Sequence, residues 1–193
     1  RTILYFGKYG DSSDGLKTLL FDRFELLSDD VTDKSVPRTF QIATQFRDKC
    51  IEYGVLPENA AFDATGAGNP LGDVIASVWS NRVVRIAFGG AASELPASPA
   101  DPVPASKRYK NRVTEIWWSG RTLMRTGQIK GVTPSLAKEL CSRTYITEKT
   151  EHMRVCVESK VDLKLRIGKS PDEADAALML VDLCRTRFGF GVD

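Results

Sequence analysis

Near the C-terminus, the run Ser170-Pro171-Asp172-Glu173-Ala174-Asp175-Ala176 opens a helix with two carboxylates, Asp172 and Asp175, three residues apart. At that spacing they lie on nearly the same side of the helix, and such a pair can hold a divalent cation. A third carboxylate, Asp63, ends an apolar run far upstream. Hard cations such as Mg²⁺ take oxygen ligands and keep some water. Two of them about 4 Å apart activate a water and stabilise the leaving oxygen in phosphodiester hydrolysis. That chemistry needs three or four carboxylates converging from different elements, which stay ionised together only with cations between them. The residues therefore point to a metal-dependent nuclease.

Plainer roles compete at each position. Asp172 and Glu173 also fit as first-turn acids favoured by the helix dipole. Asp63 also fits as a turn-forming residue, although strand ends are where open α/β sheets place their chemistry. Asp175 lies deeper in the helix between alanines, where a simple dipole role explains it less well. Asp73 reads as an exposed or first-turn helix acid. The turn Asp63-Ala64-Thr65-Gly66-Ala67-Gly68 lacks the Gly-Lys-Ser/Thr ending of a phosphate loop and the GxGxxG spacing, which argues against a nucleotide site. His152 is the sole histidine, in a polar turn, and reads as exposed and uninvolved. The four cysteines (Cys50, Cys141, Cys156, Cys184) show no CxxC pattern, so a zinc site is not expected; buried free thiols in a reducing cytosol are. Trp117 and Trp118 read as core and rim packing rather than a base-stacking platform.

The elements that must position these residues follow from periodicity. Thr2–Tyr9 and Leu16–Leu27 are β-rich and flank a turn cluster at residues 10–15, which predicts an antiparallel hairpin; an acidic loop, Ser28–Asp33, follows. Pro37 opens a helix whose stripe is Ala43, Phe46, Cys50 and Tyr53, closed by Gly54. A short strand at Ala60–Asp63, a helix at about 70–80 with Asn69 as N-cap and Pro70 first, and a strand at Arg82–Phe88 predict a parallel crossover. Residues 89–106, rich in Ala, Pro and Ser, predict an exposed loop, too short to separate two domains. A basic helix is expected over Lys107–Met124, then a short helix capped by Thr133 and opened by Pro134. A second hairpin (Arg143–Thr147 with Met153–Glu158) and a basic connector (Ser159–Gly168) come next. The last helix is expected to begin with a capping box of Ser170 and Glu173, and to bury Ala174, Leu178 and Val181.

The chain has 193 residues, most simply one domain with a real core. No apolar run reaches membrane-span length and no signal segment opens it. It starts at Arg1, inside an apolar run, as a piece of something longer would. Net charge is only +2, yet residues 107–169 hold 15 Lys and Arg against 6 Asp and Glu. That split suggests one face for a polyanion, or else a solvated surface with chance clustering.

Three stretches resemble the nuclease domain of phage large terminase subunits. They are the turn Asp63–Gly68; the helix Tyr109–Trp118 with its Asn, Arg, Glu and Trp; and Glu158–Arg166 leading into Ser170–Ala176. Order and spacing fit across nearly the whole chain, and the final stretch is the most specific. The resemblance implies an RNase H-like α/β domain, with a mixed central sheet flanked by helices, related to Holliday-junction resolvases. It implies an endonuclease that follows an ATPase motor and cuts concatemeric viral DNA during packaging. Asp63 would be the second active-site acid and Asp175 the acid of the last helix, with Asp172 as its helper. All three would bind Mg²⁺ or Mn²⁺, as a two-metal site.

Lys107, Arg108, Lys110, Arg112, Arg121, Arg125, Lys160, Lys164 and Arg166 would guide double-stranded DNA by its phosphates, with little base specificity. The 89–106 loop would move with DNA or contact the motor. Partners would be that motor, a portal and a small terminase subunit, in the cytoplasm of an infected bacterium. The family's first acid lies on its first strand, just before a stretch like G-D-R-T; this chain opens after that point, so the first strand and its acid are expected to lie outside it. A resolvase-like nuclease outside packaging, and an incomplete domain that only binds DNA or docks, are the alternatives.

Overall fold

The computed structural model describes residues 2–28, 35–65, 68–148 and 153–192. The acidic loop of residues 29–33 and His152 lie outside these. The chain divides into two compact units: one takes the stretch up to Leu4 with Phe24–Phe88, the other Tyr5–Arg23 with the chain from Gly89 onward. Among the described residues no helix is long and apolar enough to cross a membrane.

Two long strands, β1 (Thr2–Asp11) and β2 (Lys17–Leu27), are sheet neighbours joined by a tight turn in which Gly15 N–H donates to the Ser12 carbonyl at 2.8 Å. A link this short joins only antiparallel strands, as the sequence predicts.

The unit containing Asp63 is a small α/β assembly. Helix α1 (Arg38–Glu52) has Pro37 at its N-cap and buries Ile42, Ala43, Phe46 and Cys50. Gly54 follows it with φ +67°, the left-handed stop expected there. Strands β3 (Ala61–Asp63) and β4 (Val84–Ile86) pair in parallel, with Asp63 opposite Ile86. Helix α2 (Gly68–Val78) makes the crossover and packs on α1 and β3. It starts two residues before the predicted Pro70. Pro70 is tolerated there because the N–H groups of a first turn have no intrahelical partner to lose. Gly72 lets α2 lie close on the sheet, since a Cβ there would sit 2.7 Å from the Phe62 ring. Asp73 is exposed and pairs with Arg85 at 2.9 Å.

The second unit carries the long helices. The stretch 89–106 is not an open loop. It forms a hairpin, β5 (Pro96–Ser98) with β6 (Asp101–Pro104), then a helical turn, α3 (Ala105–Arg108). The two end prolines, Pro96 and Pro104, face each other across a ladder so short that their missing N–H groups cost little. The small side chains Ala92, Ala97 and Ala105 pack under Tyr109. The predicted 107–124 helix breaks at Tyr109–Asn111 and resumes as α4 (Arg112–Arg125), where the Asn111 side chain accepts the Thr114 N–H at 3.1 Å. The short strand β7 (Ile129–Lys130) then pairs in parallel with β2, Ile129 opposite Leu19.

Helix α5 (Pro134–Leu140) is capped by Thr133 as expected. Strands β8 (Tyr145–Thr147) and β9 (Val155–Val157) form the second hairpin. The expected connector is instead helix α6 (Lys160–Ile167), with Ser159 accepting the Asp162 N–H and Gly168 ending it at φ +77°. Its only buried side chain is Leu163, so it has no apolar stripe to betray it. Helix α7 (Asp172–Phe188) buries Ala174, Leu178 and Val181 as predicted. It lies close against α4 because Gly120 has no side chain where Leu178 packs. Cys50 and Cys184 are buried, but Cys141 is exposed, contrary to expectation.

Candidate functional site

The site is built on the first turn of α7. Its capping differs from the expected Ser170–Glu173 box. Pro171 holds the N-cap, and no side chain caps the helix from its own sequence. The cap comes from α5: Glu139, only 5% exposed, accepts the backbone N–H of Glu173 at 2.9 Å and of Ala174 at 3.1 Å. Ser170 Oγ is buried without a hydrogen-bond partner. Glu173 faces α5 as well, accepting from the Ser135 hydroxyl at 3.0 Å.

Asp172 and Asp175 are brought to one cationic point. Lys160, the first residue of α6, places its Nζ 3.0 Å from Asp175 Oδ2 and 3.6 Å from Asp172 Oδ1. Burial works against the Lys160 ammonium, but the charges of Asp175 and Asp172 outweigh it and hold its pKa above the usual value. Asp175 is 7% exposed. Its other oxygen, Oδ1, accepts the indole N–H of Trp117 at 3.2 Å and lies 3.8 Å from the Arg143 guanidinium. The Arg143 side chain is 3% exposed, stacks 4.9 Å above the Trp117 ring and donates its Nε–H to the Glu158 carbonyl. Burial lowers the Arg143 pKa, with Asp175 and Glu158 opposing.

Asp63, in the other unit, ends β3 as expected and accepts the Thr65 backbone N–H at 2.9 Å, a local turn bond. Among the described residues no group of three or more His, Cys, Asp or Glu side chains is gathered to hold a metal. The donor set nonetheless fits a hard divalent ion at Asp172 and Asp175, because both offer carboxylate oxygens to a point where positive charge is already stabilised.

The predicted DNA contacts divide. Arg112 is not available to a phosphate. It donates to both oxygens of Asp182 on α7, at 2.7 and 2.8 Å, and to Glu115 at 2.9 Å. Glu115 is fully buried and also accepts from Ser93, while the buried Arg185 lies 3.8 Å from it. Arg108 pairs with Asp101, Lys110 with Glu148, and Arg166 with Glu158. Lys160 faces the two aspartates. Lys107, Arg121, Arg125 and Lys164 are exposed and make no ion pair among the described residues. Arg121 lies over Trp118 at 4.9 Å.

Sequence reasoning missed Glu139, Arg143 and the part Trp117 plays. Their link to α7 crosses 34, 32 and 58 positions of chain, which no local spacing reveals.

The mixed α/β fold matches the RNase H-like fold of the phage large-terminase nuclease domain. The nuclease domain of the large terminase subunit of bacterial virus Sf6 aligns at 16% identity, covering 93% of this chain and 87% of that one, with a TM-score of 0.59. A lysine-to-alanine variant of that domain with manganese aligns at 16% identity, 93% and 88% coverage and a TM-score of 0.59. The variant with calcium gives 15%, 93%, 88% and 0.59. At such identity the likeness is one of fold. No protein-family model matches the chain. No curated protein matches it either.

Proposed function

We propose that this chain is a metal-dependent DNA endonuclease of a viral packaging motor, cutting concatemeric genomes. The observation that carries this reading is the Asp172–Asp175 pair, drawn onto one cationic point at the start of α7 in a fold shared with terminase nucleases. Asp172 and Asp175 would hold Mg²⁺ or Mn²⁺. When bound, such ions activate a water and stabilise the leaving oxygen of a phosphodiester. The chain's own part would be to present carboxylate oxygens to the ions, keep their charge balanced through Lys160, and orient the DNA backbone. Of the predicted contacts, Lys107, Arg121, Arg125 and Lys164, exposed and without an ion pair among the described residues, would orient it. An ATPase motor, a portal and a small terminase subunit are the proposed partners, in the host cytoplasm.

The test is Mn²⁺-dependent nicking of supercoiled plasmid by this chain and by one extended upstream, each beside its Asp175→Ala variant. Cleavage that disappears in the variant supports the reading. Absence of cleavage from both chains would favour a second reading, a domain that binds DNA or docks without cutting.

A further inference from the structure

The two oxygens of Asp175 are treated differently. Oδ2 faces Lys160 and, with Asp172, the cationic point. Oδ1 is turned to the protein, toward Trp117 and Arg143. These two are fixed by other elements. Trp117 belongs to α4, which is tied to α7 a second time by the Arg112–Asp182 fork, seven residues further along α7. Arg143 is pinned by the Glu158 carbonyl, yet its Nη1, facing Asp175, is buried without a hydrogen-bond partner.

We propose that Trp117 and Arg143 are positioning residues: they hold Asp175 Oδ1, so that Oδ2 alone is presented to a divalent cation. This rests on the metal-site reading above. A carboxylate free to rotate would offer either oxygen; the Trp117 hydrogen bond to Oδ1, and the Arg143 charge beside it, remove part of that freedom before the ion arrives. Outer partners of metal ligands commonly change affinity by about 10–100-fold when removed. Arg143 has a second part in this arrangement. Its charge lies 3.8 Å from Oδ1, on the side away from the cation, and so does not compete for the oxygen the ion uses.

The test measures Mn²⁺ affinity by calorimetry and thermal melting without metal, for the full chain and for Trp117→Phe, Arg143→Gln, Arg143→Lys and Asp175→Ala. It adds the indole N–H resonance of Trp117 in the metal-free protein and in Asp175→Asn. Expected results are a roughly tenfold or greater loss of affinity in Trp117→Phe and Arg143→Gln, recovery of most of it in Arg143→Lys, and displacement of the indole resonance in Asp175→Asn. Should Trp117→Phe fail to fold, the contrast between Arg143→Gln and Arg143→Lys decides. Affinity within twofold of the parent in Trp117→Phe and Arg143→Gln, with binding lost in Asp175→Ala, overturns the proposal and leaves the metal site standing. A parent chain that binds no Mn²⁺ overturns the metal-site reading and the proposal with it. An indole resonance unmoved by Asp175→Asn overturns the positioning contact itself.

Discussion

Lys160 stands between two carboxylates that would otherwise face each other across a short gap. Removing it leaves Asp172 and Asp175 repelling with no cation between them. Lys160→Met should therefore melt at a lower temperature than the parent without metal, and should gain more from added Mn²⁺, as melting curves with and without the ion will show. The raised Lys160 pKa fixes the pH range of the difference. A cation with a raised folded pKa stabilises fully below its unfolded value, near 10.5, and the benefit fades as pH rises through the folded value. The gap between parent and variant should thus be full at pH 9 and shrink in stronger alkali. Asp172 and Asp175 could be picked out by spacing alone, because three residues on one helix is a local relation. Their partners could not: Lys160 reads as one more cation in a basic stretch, and only the turn between α6 and α7 folds it back onto the acids.

At the scale of elements, what the sequence reveals is what is periodic or punctuated. The β3–α2–β4 crossover, the Thr133 cap and the Ala174–Leu178–Val181 stripe all carry their signals within a few residues. The β5–β6 hairpin and α6 do not. Prolines and alanines read as loop until Tyr109 and Trp118 are seen packing on them, and α6 buries a single leucine. The N-terminus of α7 shows the same limit. Ser170 and Glu173 have the spacing of a self-contained cap, yet Pro171 takes the N-cap and Glu139 supplies the acceptor from another helix. Glu139→Ala would leave two buried N–H groups without an acceptor. Loss of a cap costs about 1–2 kcal/mol, so the urea midpoint should fall by a corresponding amount with the slope unchanged. Because that turn also carries Asp172 and Asp175, nicking should decline along with stability.

Across the whole molecule, the positive excess of residues 107–169 falls within one of the two compact units, the one that also carries α7. Much of it is committed internally. Arg112 braces α4 against α7, and Arg108, Lys110 and Arg166 have acidic partners. What remains for a polyanion is smaller than the sequence count suggests, and Arg121 and Lys164 are among it. Reversing both to Glu should weaken binding to duplex DNA and flatten its dependence on salt, by roughly 1 in the log–log slope for each phosphate that is no longer neutralised. Titrations at several salt concentrations will read this, and unchanged binding would remove these two residues from the DNA surface. The chain also bears on which ions reach its acids. A side-chain ammonium on α6 cannot diffuse away, so it competes at a fixed local concentration. Potassium offers the two aspartates no more charge than Lys160 already does, whereas a divalent ion offers twice as much. If the acids hold metal as proposed, the tethered amine would act as a valence filter, setting a threshold that the abundant monovalent ions of a cell do not cross.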